Sequence, residues 1–146
     1  MFNASLSFNS LPLLKKVTLS RFYFPWSKIS AIENLPNLEV LKLLRGAFEG
    51  EEWNMEEEGF PKVSFLKLAS LDIVKWTAFE CEECFPSLRK LILEDCHYLE
   101  EIPPCLGNSS LEIIEVSDCP YSASFIKPLQ EEQMDLGNAD LKILIS

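Results

Sequence analysis

Residues 35–43 read LPNLEVLKL, and this stretch decides the fold because its pattern recurs along the chain. The pattern ends in apolar-x-x-Leu-x-Leu, and we call its three apolar positions, here Leu38, Leu41 and Leu43, the frame. Four further copies of this frame lie in residues 11–19, 60–68, 85–93 and 111–116. A sixth copy is expected to be framed on Leu141 and Leu144. The first frame residues of successive copies are then separated by 24, 25, 25, 23 and 30 residues. Self-similarity at a nearly fixed period of this length is the mark of a repeat architecture.

The spacing within each copy predicts a short strand with one apolar face. Alternate residues of a strand point to the same side, so the two leucines of Leu-x-Leu face together. One copy alone cannot bury that face, and a stack of copies can. We therefore predict an α/β leucine-rich-repeat solenoid: a short arc with a parallel concave sheet, and with loops, 3-10 turns or short helices, but no long helix, on the convex side.

The repeats occupy most of the chain, so we expect a single domain over residues 1–146. Repeats are predicted to begin near residues 11, 35, 60, 85 and 108, with a partial sixth from 138. A phosphate-binding Gly-x-x-x-x-Gly-Lys-Ser/Thr loop is absent from the sequence, and so is a coiled-coil heptad run. We expect neither a nucleotide-binding nor a coiled-coil domain in this chain.

Composition narrows the classes of function. The net charge is -10, which argues against nucleic-acid binding and against a polybasic membrane-binding surface. No apolar run approaches the roughly 18 residues of a membrane span. The first residues lack the charged region of a signal peptide, which favours a cytoplasmic location.

The five cysteines are an odd number, which favours reduced thiols. Cys96 and Cys119 follow the last frame residue by three positions, the slot in which such repeats place an inward-turned Asn or Cys. Cys81 and Cys84 have the spacing of half a zinc site. Because a second Cys-x-x-Cys pair is missing, we predict no metal site.

Catalytic and cofactor sites have little support in the sequence. The only histidine, His97, adjoins Asp95 and Cys96, and adjacent residues on a turn are expected to point apart. Trp26, Trp53 and Trp76 are expected to pack the convex loops. We predict no catalytic residue, no cofactor-binding residue, no small-molecule substrate and no enzyme activity.

The positions between the frame leucines are the candidates for partner binding, because solenoids present a sheet face. The candidate residues are Lys15, Thr18, Arg21, Val40, Lys42, Arg45, Phe65, Lys67, Lys90, Ile92 and Glu115. Net charge on this face falls from +3 on the first strand to -3 on the fifth, with apolar residues near the middle. Apolar residues rimmed by charge are typical of a protein interface. The alternative is an ordinary strand face of β-forming and solvated residues.

Acidic residues concentrate on the outer side, where residues 49–58 contain six glutamates and no basic residue. This acidity favours docking of a basic domain or, alternatively, a solvated set of loops that keeps the protein soluble.

The repeats also resemble those of a known family. The resemblance is carried by residues 35–43, 48–53, 60–68, 73–76, 85–91 and 99–103. These segments are similar to the C-terminal leucine-rich repeats of plant coiled-coil NLR disease resistance proteins, particularly the late blight resistance protein group of the nightshade family. The resemblance covers about residues 11–146.

This resemblance implies a protein-recognition and regulatory role in an intracellular immune receptor. In such receptors the repeats sense a pathogen effector or a guarded host protein, and they hold the receptor's own nucleotide-binding domain inactive. The family binds ATP or ADP in that domain, which has no residues here. Two alternatives stay open: a freestanding scaffold or truncated decoy, and an extracellular receptor ectodomain, which glycosylation acceptors at Asn3 and Asn108 would suit.

Overall fold

The computed structural model describes residues 13–33, 35–55, 59–78, 84–103, 106 and 110–146. In chain order its elements are β1 (Lys16–Leu19), β2 (Phe24–Pro25), a 3-10 helix (Trp26–Ile29), α1 (Ser30–Glu33), β3 (Val40–Leu43), β4 (Phe48–Glu49), β5 (Glu52–Met55), β6 (Phe65–Ala69), β7 (Lys75–Ala78), β8 (Lys90–Glu94), β9 (Ile113–Ser117), α2 (Ser122–Asp135) and β10 (Lys142–Ile145).

The main sheet has six parallel strands in the order β1-β3-β6-β8-β9-β10. Each strand pairs with the equivalent strand of the next repeat, so that Val40 of β3 pairs with Phe65 of β6, and Phe65 pairs with Lys90 of β8. Every crossover between neighbouring strands therefore spans one repeat. The predicted short leucine-rich-repeat solenoid with a parallel sheet is confirmed.

The frame leucines fill the interior because strand residues alternate between two faces. In β3, β6 and β8 the second and fourth residues are buried and the first and third are half-buried. Leu41, Leu66 and Leu91 pair across these three strands and have no exposed surface. They belong to one continuous hydrophobic core that runs the length of the stack.

The strand of the sixth copy, β10, pairs with β9 in a register that differs by one residue from the predicted one. Lys142 pairs with Ile113, so Ile143 takes the inward position of Ile114 and packs against the core, whereas Leu144 faces outward and is 52% exposed. The prediction that Leu144 is an inward frame residue is wrong. A shift of one residue moves every side chain of a strand to the opposite face, which is why this small error has a large effect.

Three stacked tryptophans fill the interior away from the main sheet. Trp53 of β5 pairs in register with Trp76 of β7. The ring centroids of Trp26 and Trp53 are 4.8 Å apart, those of Trp53 and Trp76 are 4.9 Å apart, and the planes are nearly parallel. All three side chains are buried, but Trp53 and Trp76 lie in strands of a separate two-stranded parallel sheet and not in the predicted convex loops.

The helix α2 corrects one expectation about the convex side. With 14 residues it is a long helix for such a repeat, whereas we expected none. It occupies the crossover between β9 and β10, which is also the longest interval in the chain. Phe125, Ile126 and Leu129 are buried, so the helix covers the core with one face. Pro128 lies inside it and cannot donate the usual helical hydrogen bond.

Cys96 and Cys119 occupy the inward-turned positions that were predicted for them, three residues after the last frame residue. Cys96 is fully buried, and its Sγ lies 3.6 Å from the carbonyl oxygen of Leu68 in the preceding repeat. Cys119 is also buried, and both are free thiols. Cys84, in contrast, is disulfide-bonded, so the prediction of reduced thiols is wrong for that residue.

Candidate functional site

The outward face of the main sheet consists of two columns of side chains that run across the strands. One column contains Lys16, Val40, Phe65, Lys90, Ile113 and Lys142, which pair in register from strand to strand. The other contains Thr18, Lys42, Lys67, Ile92, Glu115 and Leu144. The parallel register therefore brings residues far apart in sequence into one continuous surface.

Eight of the eleven candidate residues lie in these two columns, which we call the sheet face. The other three lie at its margins. Lys15 precedes β1, and Arg21 and Arg45 follow the ends of β1 and β3. The last two are joined through the main chain, where the Arg21 N–H donates to the carbonyl oxygen of Arg45 at 2.8 Å.

Phe65 lies at the middle of the sheet face, flanked by two lysines. The Nζ atom of Lys42 is 5.6 Å from the centroid of its ring, and that of Lys90 is 6.0 Å away. Cations at this distance are attracted to an aromatic ring by roughly 0.5–1 kcal/mol when exposed to solvent. Phe65 is half-buried, so part of its ring stays available for contact. The centre of the face is therefore an aromatic residue held between two positive charges.

Carboxylates neutralise part of the positive charge. Lys67 Nζ is 3.4 Å from a carboxylate oxygen of Glu94, and Lys90 Nζ is 3.7 Å from one of Glu115. Partly exposed pairs of this kind contribute at most about 1 kcal/mol to stability. The ion pairs therefore add little to the stability of the face.

The charge gradient predicted from sequence follows the spatial order of the first five strands, because these are neighbours in the sheet. The sixth strand was missed as part of the face. It adds Lys142 and the exposed apolar side chain of Leu144, which pair with Ile113 and Glu115. A shallow groove of about 300 Å³ lies there, with Ile92 and Glu115 also in its lining. The register of the sixth copy is the signal that would have placed these residues on the face.

A second groove lies at the carboxyl ends of the strands. It has a volume of about 420 Å³ and is lined in part by Tyr23, Arg45 and Tyr98. Asp95 accepts a hydrogen bond from Ser70 Oγ at 2.8 Å, and its other carboxylate oxygen is 2.7 Å from His97 Nε2.

The expectation that Asp95 and His97 point apart is wrong, because their side chains are in contact. The side chain of Cys96 does point away from this groove, into the core. Asp95 lies between the serine and the histidine, so the imidazole does not contact the hydroxyl that it would have to activate as a base. The contacts order a turn in which Asp95 has a φ of 54°.

Cys96 and Cys119, which follow the neighbouring strands β8 and β9, are the free thiols among the described residues. The pKa of Cys119 is lowered to about 7 because the Cys96 thiol donates a hydrogen bond to it. The same hydrogen bond, together with burial, raises the pKa of Cys96.

Within the described ranges no group of three His, Cys, Asp or Glu side chains could hold a metal ion. Cys81, the first residue of the half zinc site, lies outside those ranges.

Other predicted features fall partly outside the described residues. Glu49 and Glu52 are exposed, whereas residues 56–58 of the acidic segment and both glycosylation acceptors, Asn3 and Asn108, lie outside the described part of the chain. Among the helices that are described, none has the length and apolar character needed to cross a membrane.

Curated resistance proteins of Solanum demissum are similar to this chain, and no family model matches it. One late blight resistance protein homolog is 37% identical to the chain over 143 residues. The late blight resistance protein homologs R1B-16 and R1B-13 are each 36% identical, over 154 and 141 residues. These alignments cover 93% to 97% of this chain but only 11% to 12% of the length of those relatives. The resemblance to the late blight resistance group is confirmed.

Proposed function

Because the chain is homologous over nearly its whole length to one region of the late blight resistance protein homologs, we propose that it is a recognition segment of a plant disease resistance protein. Its sheet face would bind another protein, and the segment itself would carry out no catalysis. The site of action would be the cytoplasm. The observation that carries the proposal is the position of Phe65 between Lys42 and Lys90 at the centre of a continuous, partly apolar face.

The make-up of the face suits a protein partner. Its half-buried apolar side chains, Val40, Phe65 and Ile92, belong to neighbouring strands, and charged side chains surround them. This arrangement matches an interface with an apolar core and a charged rim. Aromatic residues near the centre of an interface commonly contribute most of the binding energy.

Three kinds of protein fit the proposed role. A pathogen effector or a guarded host protein would bind when the plant is infected. The receptor's own nucleotide-binding domain would bind in the resting state, and that contact would keep the switch closed. ATP or ADP would be bound by that domain and not by this segment.

The proposal is tested by changing the face in the complete resistance protein. The test variants are Phe65→Ala and the double variant Lys42→Glu with Lys67→Glu. The matched control is Lys28→Glu with Lys75→Glu, which reverses two exposed lysines outside the sheet face. The readouts are co-precipitation of this segment with the separately expressed nucleotide-binding domain, and elicitor-independent cell death in leaf tissue.

We expect the face variants to reduce co-precipitation at least tenfold or to cause cell death without an elicitor, while the control behaves as the wild type. Equal behaviour of face and control variants in both readouts, at equal protein levels, would refute binding of that domain at the sheet face. The same variants with a recognised effector or guarded protein would then test the remaining partners.

A further inference from the structure

Cys96 and Cys119 occupy the same position in two consecutive repeats. Each follows its strand by two residues, and the strands are in register, with Glu94 paired to Ser117. The ladder continues past the strand ends, because the Asp95 N–H donates to the carbonyl oxygen of Ser117 at 2.9 Å. The two cysteines are therefore neighbours across the sheet, although 23 residues separate them in sequence.

The backbone before the two cysteines also has the same conformation. The preceding residues, Asp95 and Asp118, have φ angles of 54° and 53°. Each thiol then lies close to the carbonyl oxygen two residues before it, at 3.5 Å for Cys96 and 3.4 Å for Cys119. The backbone conformation thus repeats before the two cysteines, and their side chains are hydrogen-bonded to each other.

Neighbouring parallel strands are about 4.8 Å apart. Disulfide bonds join residues whose Cα atoms are roughly 4.4–6.8 Å apart, a range that includes this strand spacing. Rotation of one side chain about its Cα–Cβ bond would bring the sulfurs together. We propose that Cys96 and Cys119 form a modification site at which a peroxide joins two consecutive repeats by a reversible disulfide.

The chemistry begins at Cys119, which is 6% exposed, whereas Cys96 has no exposed surface. The lowered pKa of Cys119 makes it the thiolate of the pair near neutral pH. Its sulfur attacks one oxygen of hydrogen peroxide, the O–O bond breaks, and the products are the sulfenic acid of Cys119 and a hydroxide ion.

The second step uses Cys96. Its sulfur attacks the sulfur of the sulfenic acid, the S–O bond breaks, and the departing hydroxide takes the proton of the Cys96 thiol. The first hydroxide regains the proton that Cys119 lost on ionisation. In total, two thiols are oxidised to one disulfide, and one peroxide molecule is reduced to two water molecules. A small dithiol would reverse the reaction by thiol–disulfide exchange.

The experiment treats the full chain with hydrogen peroxide, blocks the remaining thiols with iodoacetamide in denaturant, and identifies the peptides by mass spectrometry without reduction. We expect a cross-linked peptide pair containing Cys96 and Cys119, which dithiothreitol removes. The rate of linkage should rise roughly tenfold between pH 6 and pH 8, because the thiolate fraction of a group with a pKa of about 7 rises by that factor.

Two variants serve as controls. In Cys96→Ser the sulfenic acid of Cys119 should form and persist, and a dimedone probe should trap it. In Cys119→Ser peroxide should leave Cys96 unmodified, because that thiol is buried and protonated. The proposal is overturned if both thiols of the treated wild type are still alkylated, if Cys119 proceeds to sulfinic acid without a linked peptide, or if either cysteine links to a different one.

Discussion

The side chain of Gln133 is fully buried, and its Nε2 donates a hydrogen bond to the carbonyl oxygen of Leu106 at 3.0 Å. Its Oε1 accepts a hydrogen bond from Nδ2 of Asn138 at 2.8 Å, and the same Nδ2 contacts the carbonyl oxygen of Leu111 at 2.7 Å. One amide side chain of α2 therefore ties the helix to the loop of the preceding repeat and to the turn that leads into β10.

Replacement of Gln133 by leucine should destabilise the protein by about 2–3 kcal/mol, because it leaves the carbonyl of Leu106 unpaired and weakens the hold on Asn138. The free energy of unfolding in urea measures the effect. Gln130→Leu is the matched control, since Gln130 lies on the exposed side of the same helix. Equal stability of the two variants would show that the hydrogen bonds of Gln133 contribute nothing.

Trp53 should be among the most costly core residues to truncate. Its indole lies between those of Trp26 and Trp76, and only 1% of the residue is exposed. We expect Trp53→Ala to lower the free energy of unfolding by about 3–5 kcal/mol through the cavity that it leaves. Chemical denaturation followed by circular dichroism gives this value.

Trp53→Phe separates the contribution of ring stacking to the free energy of unfolding from the contribution of the indole nitrogen. The Nε1 atom of Trp53 is buried and has no hydrogen-bond partner among the described residues, so phenylalanine removes an unsatisfied donor while it keeps an aromatic ring. We expect this variant to lose less than half of what Trp53→Ala loses. A loss as large as that of alanine would mean that the indole nitrogen is paired in solution.

Gly46 should be intolerant of alanine for two separable reasons. Its φ is +67°, and an added Cβ would lie 2.6 Å from Cε1 of Tyr23. Gly137 has a φ of +83°, and no atom of the described part of the chain lies within 4 Å of the added Cβ, so Gly137→Ala reports the backbone strain alone. We expect Gly46→Ala to be more destabilising than Gly137→Ala by about 1 kcal/mol.

The extra cost should disappear when Tyr23 is also replaced by alanine. A double-mutant cycle of Gly46→Ala and Tyr23→Ala, measured by thermal or urea unfolding, gives the interaction directly. Strict additivity of the two changes would show that the ring of Tyr23 does not lie against Gly46 in solution.

The stability of the reduced protein should depend on the ionisation of Cys119. The pKa is lowered from 9.0 to about 7 in the folded state, so the folded form releases its proton first. The resulting stabilisation is present above pH 9 and is lost as the pH falls through 7. Partial solvation of the thiol reduces the effect to about 1 kcal/mol.

Ionisation of Cys96 has the opposite effect on the free energy of unfolding, and it does so at higher pH. Because its pKa is raised on folding, the unfolded chain ionises first above pH 9, and stability is lost there. The difference in unfolding free energy between wild type and Cys119→Ser, measured from pH 6 to pH 10 with reductant present, should therefore rise between pH 7 and pH 9. A flat difference would contradict the lowered pKa.

The repeat frame was predictable because burial of leucine at alternate positions is a local rule that each copy obeys. The sixth strand was misplaced by one residue, since Leu141 to Ile145 is apolar at four of five positions and periodicity cannot choose the inward set. Its register is decided by hydrogen bonds to Ile113 and its neighbours, which are contacts between repeats.

The long helix α2 was missed because Pro128 interrupts its pattern and Gln133 takes a buried position that a hydrophobic residue would normally mark. The interval of about 30 residues and the spacing of Phe125, Ile126 and Leu129 were the available signals. The residues of the sheet face follow from the frame, but the contact between Asp95 and His97 depends on the backbone conformation of a turn, which their spacing alone does not reveal.

The stack of Trp26, Trp53 and Trp76 also makes the protein its own optical reporter. The transition dipoles of indoles stacked at less than 5 Å interact, so the three rings should absorb light as a unit. Each ring belongs to a different repeat, and a slip between any two repeats would break the coupling. The intensity of the tryptophan absorption band would thus follow the integrity of the stack without any added label.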